Sequence, residues 1–143
     1  MDVTIRPATM DDLPGVCSLL EQLWPNKKSN RDALSQVFAR ALYSGEDYLC
    51  AELDGRIAGF CATMYVNSLW QESRIAYVLV LVVDENLRSR GIGTKLLDVC
   101  GERARHAGCT KLELDCGFHR ERAHQFYERV GLAKRAFLFS KDL

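Results

Sequence analysis

The residues best suited to chemistry lie in Arg88-Ser89-Arg90-Gly91-Ile92-Gly93-Thr94. Glycines without side chains let an anion reach the main chain, and the unpaired N–H groups at a helix start attract it. Arg88 and Arg90 supply charge on the approach, and Ser89 offers a further donor. The motif differs from both familiar nucleotide loops. It lacks Gly-x-x-x-x-Gly-Lys-Ser/Thr, and Gly91-Ile92-Gly93 lacks the third glycine of the dinucleotide fingerprint. Alone, Arg-x-x-Gly-x-Gly reads first as a solvated basic turn with a glycine helix start, so its surroundings decide.

Those surroundings hold the turn between two strong patterns. Ile75 to Val83 is a run of nine apolar residues, rich in valine and leucine, that reads as a buried strand. From Gly93 onward, Leu96, Leu97, Val99 and Cys100 recur at helical spacing, with Lys95, Asp98, Glu102 and Arg103 on other faces. Charge changes at the same place. Residues 1–87 carry 7 Lys+Arg and 12 Asp+Glu, whereas residues 88–135 carry 11 and 6. A basic half that begins at a glycine turn suits a polyanionic small molecule. The formal net charge of zero argues against a general nucleic-acid binder.

The 143 residues, 48% apolar and 27% charged, suit one soluble domain over 1–143. Six cysteines, at 17, 50, 61, 100, 109 and 116, form no Cys-x-x-Cys pair, zinc spacing or disulfide framework. No secretory or membrane-spanning run is evident, so a cytoplasmic setting without membrane partners is expected.

In chain order, Val3 to Arg6 reads as a short strand stopped by Pro7. Thr9-Met10-Asp11-Asp12 resembles a capping box opening a helix with the stripe Leu13, Val16, Cys17, Leu20 and Leu23. A second helix runs from about Arg31 to Ser44-Gly45. Asp47–Leu53 and Arg56–Val66 flank Asp54-Gly55, a hairpin signal, and Asn67–Ser73 turns into the Ile75–Val83 strand. The helix ending at Ala107-Gly108 leads into Lys111–Asp115, a strand expected to lie parallel to Ile75–Val83. Arg120–Arg129 is a last helix with Ala123, Phe126, Tyr127 and Val130 inward, and Ala136–Ser140 alternates as a closing strand.

The strand into Arg88-x-x-Gly91-x-Gly93, the following helix and strand, and then Arg120-Glu121-Arg122-Ala123-His124-Gln125-Phe126-Tyr127 occur in that order. Together they resemble the GNAT superfamily of acyl-CoA-dependent N-acyltransferases, from Ile5-Arg6-Pro7-Ala8 to the final strand. The resemblance implies an α+β fold: a mixed sheet with an antiparallel N-terminal meander, splayed parallel strands four and five, and about four helices. It implies acetyl-CoA as cosubstrate. Its pantetheine arm would pair with the backbone of Leu81 and Val83, with Val82 between, and its pyrophosphate would rest on the N–H groups from Ser89 through Thr94. Arg88 or Arg90 would add charge. Tyr127 occupies the position of the family's frequent general acid, which protonates the leaving thiolate. The N–H of Leu81 or Val82 is the expected oxyanion donor. Similarity to aminoalkylphosphonate and other small-amine acetyltransferases implies a small-molecule primary amine as acceptor. Dimers are frequent among similar folds, although no residue here requires a homodimer.

Two departures from the family pattern stand out. Arg120 replaces a frequent asparagine, and its role is open between a pantetheine contact, a phosphate contact and solvent. The Ile75–Val83 strand holds no carboxylate to act as general base, leaving either a water relay to Glu72, Asp115 or His119, with none preferred, or an amine that arrives already neutral. For the acceptor, Arg31, Arg40 and Arg74 would suit an anionic substrate, and Trp24, Trp70 and Tyr65 would wall an apolar one. The cysteines, Cys116 included, carry no visible activation for an acyl-enzyme route. Two other functions stay open at this level: a non-catalytic acyl-CoA-binding sensor or interaction module, and a protein or peptide N-acetyltransferase.

Overall fold

The computed structural model describes residues 2–143. Five strands, β1 (Thr4–Pro7), β2 (Asp47–Leu53), β3 (Arg56–Ser68), β4 (Ser73–Val83) and β5 (Cys109–Leu114), form one sheet in sequence order. The first four pair antiparallel, and β5 joins β4 in parallel. This is the expected mixed α+β architecture, with four helices: α1 (Leu13–Leu23), α2 (Arg31–Tyr43), α3 (Ile92–His106) and α4 (Glu121–Arg129). Among the described residues, no helix is long and apolar enough to cross a membrane.

Alternation along the strands feeds two cores, one on each face of the sheet. On one face, Ile92, Leu96, Leu97 and Cys100 of α3 pack on Leu49, Cys61 and Val78. On the other, Val16, Leu19 and Leu20 of α1 and Phe38 of α2 pack on Cys50, Phe60 and Ala62. Gly59 permits the close approach of α3, because a Cβ there would meet Leu96 Cδ1 at 3.0 Å and the Val82 carbonyl at 3.2 Å.

One irregularity shapes the site. Thr63 pairs with Val78 and Ala62 with Val80, so Leu79 is an extra residue in β4. Such a bulge reverses which face later side chains take. Val78 accordingly packs on the α3 side, whereas Val80 and Val82 pack with α1 and α2.

Helix and turn ends form where their local side chains dictate. Asp12 completes the capping box, accepting from the Thr9 N–H at 2.8 Å. A single 3-10 turn, Met10–Asp12, precedes α1. The Asn30 side chain caps α2 through the Ala33 N–H at 3.0 Å, and Asp54-Gly55 forms the hairpin with both residues at positive φ. β5 begins at Cys109, two residues earlier than its alternation suggested.

The closing strand is a correction. Ala136–Ser140 is not in a strand, and Phe137, Leu138 and Phe139 are 71%, 66% and 91% exposed. A strand needs a facing row of backbone groups as well as an alternating sequence. Within this chain the segment meets none.

A charged cluster ties the N-terminal strand to α1. Arg6 grips both oxygens of Asp12 at 2.8 Å and donates to Glu52 at 2.9 Å. The guanidinium holds the Asp12 carboxyl below its ordinary range, against the opposing effect of burial. A depressed folded pKa stabilises the protein above the unfolded value near 4, and that stability is lost as pH falls through the folded value. Asp12→Asn is therefore expected to cost about 2 kcal/mol at neutral pH. In chemical denaturation the difference from wild type should shrink below about pH 4.

Candidate active site

The turn after β4 is built before α3 begins. Asp84 accepts from Asn86 N–H at 3.0 Å, and the Gln22 side chain of α1 accepts from Glu85 N–H at 2.9 Å. Arg88 is then extended, Ser89 takes φ 63° and Gly91 takes φ 81°. Left-handed residues spaced this way can turn successive N–H groups inward, the backbone pattern of a nest. A positive φ costs glycine nothing but is uncommon for serine, so the Ser89 conformation is locally strained.

The helix start has no side-chain cap. Its first i→i−4 bond runs from Lys95 N–H to the Gly91 carbonyl at 3.0 Å, which leaves the N–H groups of Ile92, Gly93 and Thr94 ahead of it. No side chain caps α3, and its first turn holds no acidic residue. Gly93 faces α4, where a Cβ would stand 3.3 Å from Phe126 Cζ. Ile92 is buried beneath the turn. Arg88 folds back to donate from Nε to the Val83 carbonyl at 3.3 Å.

β4 and β5 part company beside this turn. Their pairing ends at Val78 opposite Leu114, while β4 continues to Val83 against β3 alone. An inner strand bonded on one side only keeps half its backbone groups directed to the other side. Leu81, Val82 and Val83 lie on this stretch. Their side chains belong to the cores, with Val82 buried toward α1 and α2 and Leu81 and Val83 packed toward α3.

Consecutive residues past the end of β5 contact different sets of groups. Cys116 accepts from Arg120 Nη1 at 3.6 Å. The Tyr127 side chain on α4 is 9% exposed and near the same arginine, Cys116 and Cys61. Burial pushes the Tyr127 phenol up from its ordinary range, and the Arg120 guanidinium partly offsets that rise. Burial also raises the Cys116 thiol, again against Arg120. The connecting loop is pinned by Arg120 N–H and a His124 ring nitrogen, both at the Gly117 carbonyl, 3.1 and 2.9 Å away.

Asp115, one residue earlier, accepts from the Tyr77 hydroxyl at 2.5 Å. Tyr77 precedes Val78 on β4 and so points away from the α3 side. Burial, then the carboxylate, push its phenol up to about 12. Asp115 thus stands where the two strands separate. Glu113 is already engaged by Gln71 at 2.8 Å and Arg135 at 2.7 Å. Glu72 sits in the turn before β4, at the far end of that strand, and His119 is exposed beside Gly117. Tyr77 was invisible within an apolar run; its signal was a lone phenol on the face that Asp115 shares.

The residues considered for the acceptor do not converge. Arg31 pairs with Glu21 on the surface, and Arg74 donates to the Ala107 carbonyl and lies over Tyr65. Tyr65 bonds Asp47 on the α3 side, and Arg40, Trp24 and Trp70 are exposed on separate elements. A groove of about 480 Å³ between α1 and the β2–β3 hairpin is a different place. Arg6, Asp12 and Glu52 line it and already bond one another. All six cysteines are free, and the described residues hold no cluster of metal ligands.

Residues 13–132 match the model of the acetyltransferase (GNAT) family. The aminoalkylphosphonate N-acetyltransferase of Salmonella typhimurium is 30% identical over 139 residues, covering 97% of this chain and 90% of the relative. Glucosamine 6-phosphate N-acetyltransferase 1 of Oryza sativa subsp. japonica is 30% identical over 78% of this chain and 72% of its own. A solved putative acetyltransferase from Agrobacterium tumefaciens superposes with a TM-score of 0.86 at 27% identity, covering 98% and 99% of the two chains. With the glycine turn, the parted strands and α4 arranged as described, the chain belongs to the GNAT family of acyl-CoA-dependent N-acetyltransferases.

Proposed function

We propose that the chain transfers the acetyl group of acetyl-CoA directly to a primary amine, with both substrates bound at the parting of β4 and β5. The observation that carries this reading is the buried Tyr127 phenol beside that parting, on an α4 that packs through Phe126 against the start of α3. The cosubstrate suits the residues present. The N–H groups from Ser89 through Thr94 would hold its diphosphate, and the unpaired side of Leu81–Val83 would hold its pantetheine arm. Bound there, acetyl-CoA supplies an acetyl group activated as a thioester.

The chain's own groups then divide the proton work. Tyr127 donates its proton to the departing sulfur, and its raised pKa keeps the phenol protonated throughout the neutral range. Arg120 stands ready to stabilise the phenolate left behind, which gives this arginine a role in place of a pantetheine contact. The N–H of Leu81 or Val82 faces the developing oxyanion. Asp115, held by Tyr77, accepts the proton of the incoming ammonium; of the three relay candidates, it alone stands at the strand parting. A half-buried thiol with a raised pKa is a poor nucleophile, so Cys116 favours direct transfer over an acyl-enzyme. Both relatives described above are named for amines bearing an anionic phosphorus group, and we extend that substrate class to this chain.

Release of CoA thiol across a panel of aminoalkylphosphonates, amino-sugar phosphates, neutral amines and N-terminal peptides tests the reaction. CoA binding with no turnover on any amine would favour a sensor instead. Tyr127→Phe is expected to lower kcat by about 100-fold or more with little change in acetyl-CoA KM; equal rates would remove the phenol from the mechanism. Asp115→Asn should lower kcat/KM for the amine about 10–100-fold near neutrality, and the defect should narrow as rising pH deprotonates the amine in solution. A defect constant with pH would count against Asp115 as the proton acceptor. Gly91→Val forces a β-branched residue to positive φ, a strain of about 1–3 kcal/mol that opening the turn relieves. Titration calorimetry should then find CoA binding weakened about 10-fold or more, and unchanged affinity would exclude the turn from the site.

A further inference from the structure

We propose that Arg135, helped by Lys111, holds the anionic phosphorus group of the acceptor amine while Asp115 holds its ammonium. The proposal rests on the acyl-transfer reading above and deepens it by assigning the far end of the substrate. It starts from side-chain parity along β5. Leu112 and Leu114 pack into the α3-side core, so Lys111, Glu113 and Asp115 share the opposite face. Tyr77 takes that same face of the sheet and lies directly opposite Glu113 in the parallel register. Its hydroxyl bonds Asp115 at 2.5 Å, and both carboxylates oppose its ionisation. One phenol therefore joins the two acidic positions.

Cations gather at one end of this row. The Arg135 guanidinium donates from Nη2 to Glu113 at 2.7 Å, and its Cζ lies 5.0 Å from the Trp70 ring centroid. The Lys111 ammonium lies 5.9 Å from the same centroid, and among the described residues no carboxylate pairs with it. Two cations thus share one indole and one carboxylate. The ring offsets part of their repulsion, and an incoming anion offsets more. Glu113 also accepts from the Gln71 side-chain amide at 2.8 Å, so it keeps a partner when Arg135 turns to a ligand. Arg135 is 51% exposed, within reach of a solute. Its planar fork suits bidentate recognition of phosphorus oxygens.

The row is polarised in the sense that a zwitterion needs. Lys111 and Arg135 stand at the Trp70 end, and Asp115 stands where β4 and β5 part. Two strand positions, about 7 Å, separate Glu113 from Asp115. A short aminoalkylphosphonate fits that interval, its ammonium on Asp115 and its oxygens on the guanidinium. The chain that carries Arg135 is fixed again two residues later. There the Phe137 ring lies 5.7 Å from that of Phe118, just beyond Asp115. Of the acceptor candidates read from the sequence, Trp70 alone takes part, as the platform beside both cations. Arg31 and Arg74 are engaged elsewhere. Arg135 entered no sequence pattern, because only the path of the chain after α4 brings it to β5.

Titration calorimetry on the full-length protein in the presence of CoA compares aminoethylphosphonate with propylamine, which lacks the anionic group. The same comparison of glucosamine 6-phosphate with glucosamine separates a phosphate ester from a phosphonate. Wild type should favour the anionic member of at least one pair by about 10–100-fold. Arg135→Gln should erase most of that preference. Arg135→Lys should keep only part of it, since an ammonium lacks the planar fork. Lys111→Gln, at an exposed position, should also reduce the preference and carries the test if Arg135→Gln fails to fold. In turnover, the loss should fall mainly on the amine KM. Equal affinity within both pairs in wild type would overturn the proposal, and so would a preference that survives both Gln variants. Binding is read here without turnover. An Arg135-dependent preference in a protein that transfers no acetyl group would therefore sink the acyl-transfer reading alone. Turnover of neutral amines without any such preference would sink this subsite alone.

Discussion

The structure depends on an inequality between two neighbouring strands. β4 runs for 11 residues and its parallel partner β5 for 6, so their ladder stops at Val78 and Leu114. Backbone polar groups in a protein interior need partners, and a stretch that keeps them on one side only is costly unless something else arrives. The Leu79 bulge lies immediately beyond the last pair. There it adds twist and reverses side-chain parity, so the valines beyond it still find a core. The sheet can therefore open without exposing Val82, which remains buried against α1 and α2.

That opening also sorts the polar groups. Asp115 bonds a phenol on the side of β4 away from α3, whereas Cys116 contacts Arg120, which stands beside the second phenol, Tyr127. Period-two alternation is enough to send neighbours to different surroundings. The carboxylate and the buried phenol are thereby kept apart. Burial acts on both phenols in the same direction, keeping them neutral. Their neighbours differ: a carboxylate at Tyr77 discourages ionisation further, and a guanidinium at Tyr127 eases it.

Much of this was legible in the residues because it is local. The capping box at Thr9–Asp12, the Asp54-Gly55 hairpin and the Gly91 helix start are decided within a few residues, and each forms as its chemistry demands. Tyr77 was not legible, since its role depends on Asp115, which is 38 positions away and joined only through parallel register. The separate destinations of Arg31, Arg40 and Arg74 were hidden for the same reason. Ala136–Ser140 failed in another way. Its alternation is a true statement about strand propensity, but propensity describes a surface awaiting cover and does not supply it.

The short β5 has two consequences. Had it matched β4 in length, its inner side would have closed the parting beyond Val78. Its shortness leaves the strand stabilised on its inner side by five residues of register and by Leu112 and Leu114 in the α3-side core. The opening beside the site and the light hold on β5 therefore have one cause, the shortness of that strand.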